Sequence, residues 1–160
     1  LGRVLTPDEL SDYVRFNSAV AQQLQEDIKF IEIDEATYDR LLAVAAVRSR
    51  AQGQFASIID YRGTLSDEQF VQLISNAGKS NAQTQADLIY ASAGLSNAQR
   101  ADFFVAADSV TRERDPHLKQ EAATALLAQI RAALAVSPEN TGRFEASSLA
   151  RTLRSTTDKC

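Results

Sequence analysis

The chain has 160 residues, of which 44% are apolar and 24% charged, with a net charge of −4. That length points to one domain over residues 1–160. The composition excludes a disordered chain, and the one Cys and one His exclude a disulfide framework and a Cys/His metal site. No apolar run reaches the roughly 20 residues of a membrane span, and the acidic balance argues against a nucleic-acid partner.

Thr6-Pro7-Asp8-Glu9 is a capping box. The Thr6 hydroxyl and the Glu9 carboxylate each reach a backbone N–H of the other, and Pro7 suits the first helical position. It opens a helix over about 7–27. Ile28 to Ile33 alternates in part and reads as a short extended link, with no second segment to pair with it in a sheet. Asp34 caps a second helix over about 35–61. Ser66-Asp67-Glu68-Gln69 opens a third over about 67–93, and Ser96-Asn97-Ala98-Gln99 a fourth over about 97–112. Asp115-Pro116 opens a fifth over about 116–135, and Ser137-Pro138-Glu139 starts or precedes a sixth over about 143–156.

Apolar residues recur at helical intervals in these segments. Examples are Tyr38, Leu41, Leu42 and Ala45 in the second, Phe103, Phe104, Ala107 and Val110 in the fourth, and Leu126, Leu127, Ile130 and Leu134 in the fifth. The second and third helices are each roughly 40 Å long at 1.5 Å per residue. Only Arg62-Gly63-Thr64-Leu65 joins them. The expected architecture is therefore an all-α bundle of about six helices, built on a long antiparallel helical hairpin.

Both limbs of that hairpin turn polar at mid-length: Arg48-Ser49-Arg50-Ala51-Gln52-Gly53-Gln54 in one, and Gly78-Lys79-Ser80-Asn81-Ala82-Gln83-Thr84-Gln85 in the other. Folding about Thr64 sets the two stretches at overlapping heights. Arg48, Gln52, Asn81 and Gln85 continue the core stripes and would make a polar pocket. Arg48 with Lys79 nearby would favour a small anion, because guanidinium offers a rigid fork of donors. Against this stands a slightly rotated stripe, Val44, Val47, Ala51, Phe55 and Ile58. It is apolar throughout and would leave Arg48 and Arg50 in water. Gly53 would then only relax a long helix or permit close packing.

Catalytic signatures are missing from the sequence. No G-x-S-x-G surrounds any Ser, there is no Gly-rich phosphate loop, and no E-x-x-H pair exists. His117, at a helix start, reads as a surface residue. No catalytic residue, cofactor or metal ligand is therefore nominated.

The run Arg40-Leu41-Leu42-Ala43-Val44-Ala45-Ala46-Val47-Arg48-Ser49-Arg50-Ala51-Gln52 is followed by Gly63-Thr64-Leu65-Ser66-Asp67-Glu68-Gln69-Phe70. A long polar helix and Leu95-Ser96-Asn97-Ala98-Gln99-Arg100 come next. From about Tyr13 to Arg112 this pattern resembles the nitrate- and nitrite-sensing helical domains found outside the membrane in bacterial histidine kinases and chemoreceptors. The resemblance implies a long helical hairpin in which Arg48 or Arg50 grips a small anion. A second resemblance rests on Leu5-Thr6-Pro7-Asp8-Glu9, Leu65-Ser66-Asp67-Glu68-Gln69 and Leu95-Ser96-Asn97-Ala98-Gln99, which look like the L-T-x-x-Q repeats of small periplasmic helical chaperones.

The resulting expectation is a periplasmic or extracellular sensing module for a small polar or anionic ligand such as nitrate or nitrite. Its candidate ligand-binding residues are Arg48, Arg50, Gln52, Lys79, Asn81 and Gln85. The expected partner is a second copy of the chain or a helical protein. The alternative is a secreted or periplasmic chaperone-like module that holds proteins in an apolar groove. The chain starts at Leu1 and holds no Met, which suggests a piece of a longer or processed protein.

Overall fold

The computed structural model describes residues 6–76 and 94–158. These residues are all-helical: eight α-helices and one 3-10 turn, with no strand among them. The helices are α1 (Pro7–Asn17), α2 (Ala19–Ile28), α3 (Glu35–Gln52), α4 (Asp67–Asn76), α5 (Asn97–Arg112), α6 (Pro116–Leu134), α7 (Pro138–Ala146) and α8 (Ser148–Thr157). The 3-10 turn spans Ile58–Tyr61. The chain divides into two compact units, Leu1–Leu73 and Ile74–Cys160.

In the first unit, the Thr6 box forms as expected: the Glu9 N–H donates to Thr6 Oγ1 at 3.2 Å, and the Thr6 N–H to Glu9 Oε2 at 2.9 Å. The helix it opens does not run to residue 27. Ser18 adopts an extended backbone and its hydroxyl accepts from the Ala21 N–H, so a new helix starts there. The carbonyls freed at the end of α1 are met by side-chain amides: Gln25 donates to Phe16 O at 3.1 Å and Gln22 to Asn17 O at 3.2 Å. Arg15 then ties α1 to α3, reaching Glu35 at 3.0 Å and Asp39 at 2.7 Å, while the Phe16 and Tyr38 rings stack at 5.7 Å.

Asp34 caps α3 through the Thr37 N–H at 2.7 Å. This helix stops at Gln52 rather than near 61. Gly53 takes the left-handed conformation with φ +62°, and its N–H closes on Ser49 O. A residue without Cβ enters that region without steric cost, which makes it a helix stop. The chain turns back into the 3-10 turn, where Ser57 and Asp60 hold each other. The Ser66–Gln69 box opens α4, and the Gln69 amide donates to Glu32 O at 3.0 Å. Leu24, Ile28, Leu41, Ala45, Tyr61, Phe70 and Leu73 form the core of this unit. Each large apolar side chain so buried contributes about 1.5–3 kcal/mol of transfer free energy. The second half of the expected third helix, residues 77–93, lies outside the described residues.

In the second unit, α6 is the central element and packs against α5, α7 and α8. Its inner face is the expected stripe Leu126, Leu127, Ile130 and Leu134, extended by Ala123. Phe103, Phe104, Ala107 and Val110 of α5 are likewise buried. The Ser96–Gln99 box and the Asp115 cap both form. The expected last helix is two helices. Ser147 ends α7 with an extended backbone, and its hydroxyl accepts from the Ala150 N–H to start α8. Glu145 joins three helices at this corner: Arg131 of α6 donates to its Oε1 at 2.5 Å, and Arg154 of α8 to its Oε2 at 2.8 Å.

Candidate functional site

A groove of about 450 Å³ lies along one flank of α3, lined by Ala43, Val44, Val47, Arg48, Ala51, Gln52 and Asp60. Six of these residues are on α3. Positions 44, 47, 48, 51 and 52 fall on one side of a helix because 3.6 residues complete a turn. Leu41 and Ala45, on the adjoining side, are buried and fix the rotation of the helix. That rotation puts Arg48 at the seam between core and groove and leaves the apolar flank outward.

The rotated-stripe alternative differs from the structure in two respects. The rotated stripe Val44, Val47, Ala51 is apolar but not buried, with Val47 66% exposed. Arg48 does not stand in water, since its side chain is 33% exposed. Of the candidate residues, Arg48 and Gln52 come together on the groove, one turn apart. Arg50 does not line it: it lies about 200° further round the helix from Arg48 and is exposed in the last turn. There its charge complements the carbonyl end of the helix dipole, a structural role. Lys79, Asn81 and Gln85 lie outside the described residues.

Asp60 is the lining residue that sequence reasoning missed. A helix expected through 61 gives Asp60 no reason to stand beside Arg48. The signal was present in Ser57-Ile58-Ile59-Asp60, whose spacing is that of a capping box, four residues after a glycine. Asp60 Oδ2 accepts from the Ser57 N–H at 2.7 Å and from the Ser57 hydroxyl at 3.1 Å. The same oxygen faces Arg48 Nε at 3.4 Å. Behind it the Tyr61 ring is buried. That burial, with the carboxylates of Asp27 and Asp60 nearby, raises the phenol pKa far above its ordinary value, so the hydroxyl keeps its proton. Burial also pushes the Asp27 carboxyl up, against the pull of the Gln23 amide donating at 2.9 Å.

Arg48 meets Asp60 through Nε, and neither of its terminal nitrogens bonds to a described residue. Those two nitrogens are a planar fork that matches a planar oxyanion in two parallel hydrogen bonds. The groove therefore offers one bidentate donor, an amide one turn away, and an apolar wall. Among the described residues no cluster of His, Cys, Asp or Glu has a metal-binding arrangement. His117 is exposed, as expected.

A smaller cavity of about 90 Å³ lies between α5 and α8, bordered by Asp108, Thr111, Ser148 and Thr152. Its polar border suits water rather than an apolar group. No family model, curated protein or solved structure matches this chain. No helix among the described residues is long and apolar enough to cross a membrane.

Proposed function

We propose that the chain is a periplasmic or extracellular ligand-binding module of a sensor, and that it reads a small planar anion such as nitrate or nitrite at Arg48. The observation that carries this reading is the guanidinium fork of Arg48, unbonded among the described residues, at the edge of the α3 groove with Gln52 one turn on. Occupancy would be transmitted by a population shift. An anion on the fork repels the Asp60 carboxylate 3.4 Å from Nε, and so disfavours the position of the 3-10 turn that Asp60 and Ser57 hold. Two packings of α3 against that turn then have different ligand affinities, which is the requirement for a signal. An antiparallel hairpin built on α3 within a helical bundle, and pairing with a second copy, belong to this proposal. A second reading, a helical protein-binding module, rests on Val47 and Phe55, which are 66% and 54% exposed and available to an apolar partner.

Thermal melting with nitrate and with nitrite tests the first reading. A hundredfold excess of ligand over Kd stabilises by about 2.7 kcal/mol, so the midpoint should rise. Arg48→Ala should abolish the rise. Arg48→Lys, which keeps the charge and loses the fork, should abolish most of it. Midpoints that stay fixed with every small anion refute the reading and leave the protein-binding alternative.

A further inference from the structure

We propose that the planar anion the α3 groove favours is a monocarboxylate with a short apolar body, bound more tightly than a bare inorganic ion such as nitrate. The proposal rests on the reading that Arg48 is an anion ligand, and it names the class of anion. A nitrate-sized ion on the fork would occupy a small part of a space of about 450 Å³. It would also leave Val44, Val47 and Ala51 facing water. Those three residues and Ala43 make a wall that only an apolar group can use.

Charge balance points the same way. Asp60 stands beside Arg48 at 3.4 Å and cancels much of its field. Arg50 lines no part of the groove, so Arg48 is the one cation among its described lining residues. A bare anion thus meets a nearly neutral ion pair, and Coulomb attraction to such a pair is weak in water. The fork still offers two directed hydrogen bonds, which orient a carboxylate without holding it tightly. Affinity must then come from the apolar wall. Val44 to Ala51 spans roughly 10 Å of helix with Arg48 near its middle, so a carboxylate on Arg48 leaves about 5 Å of wall on either side. That length suits the chain of butyrate, pentanoate or hexanoate, or one aromatic ring.

The test is calorimetric titration of the full chain with nitrate, acetate, butyrate, hexanoate and butylamine at fixed ionic strength. The expected result is a Kd that falls two- to fourfold per methylene from acetate to butyrate and levels off near hexanoate. Butylamine should not bind. Val47→Ser should weaken hexanoate several-fold and leave acetate unchanged, and Arg48→Ala should weaken every carboxylate. Equal affinity for nitrate, acetate and hexanoate overturns this proposal while the anion reading stands. Equal affinity for butylamine and butyrate also overturns it, because the carboxylate would then be irrelevant. Absence of binding by every anion overturns both.

Discussion

Gly53 ends α3 in a left-handed conformation, and replacing it with alanine isolates the free energy of that stop. A Cβ built on Gly53 meets nothing within 4 Å, so Gly53→Ala brings no clash and its cost is that of the backbone alone. An L-residue at φ +62° costs about 1 kcal/mol relative to glycine. Gly142 is the matching control. It lies inside α7, has ordinary φ, and its added Cβ also meets nothing within 4 Å. Gly142→Ala should therefore stabilise by about 0.8 kcal/mol through helix propensity. With about 2–4 °C per kcal/mol in a chain of this size, the two variants should move the melting midpoint in opposite directions by a few degrees. The assay is circular dichroism melting at one protein concentration. An unchanged midpoint for Gly53→Ala with unchanged helicity would show that some other contact stops the helix. It would equally remove the reason given for the turn that brings Asp60 back beside Arg48.

Two further outcomes follow from charge. Glu145→Gln should destabilise by about 1 kcal/mol at neutral pH, a figure reduced for solvent screening. The two hydrogen-bonded arginines, Arg131 foremost, hold the Glu145 carboxyl below its usual range. Its stabilising effect is therefore present above the ordinary carboxylate pKa and lost as pH falls through the depressed value, and denaturant titrations across acid pH should show the wild type and variant converging. Asp27→Asn should do the reverse and raise stability at neutral pH. Burial raises the Asp27 pKa, so the folded state holds that proton more tightly, and stability declines as pH rises through the interval between the ordinary and the raised value. The gain should shrink in acid, and a gain independent of pH would count against desolvation as its cause.

The fold was legible wherever a helix start carries a polar side chain followed by a helical apolar stripe. Thr6, Asp34, Ser66, Ser96, Asp115 and Ser137 all make the capping bonds that their spacing announces. The breaks at Ser18 and Ser147 were not legible. A serine with neither a proline nor a glycine beside it looks like an interior helix residue, and only the backbone turn sets its hydroxyl against the N–H three residues on. Gly53 was noticed, but a glycine inside a helical pattern does not announce whether it relaxes the helix or ends it. The site inherited that error. Arg48 and Gln52 were found because they continue a core stripe. Arg50 enters through the family resemblance, and helix rotation carries it away from the groove. Asp60 was hidden because its place beside Arg48 exists only once the chain has turned back at Gly53.

Glu145 serves two arginines from two different helices: Arg131 donates to both of its oxygens, and Arg154 shares Oε2. Such sharing makes the corner redundant in one direction and not in the other. Loss of Arg131 leaves α7 still fastened to α8, and loss of Arg154 leaves it fastened to α6, so each arginine is a partial backup for the other. The carboxylate has no substitute. Sequence drift at this corner is therefore tolerated asymmetrically: either cation can be exchanged at modest expense, whereas changing Glu145 removes the carboxylate bonds to both arginines in a single step and leaves only the Arg154 bond to the Glu145 carbonyl.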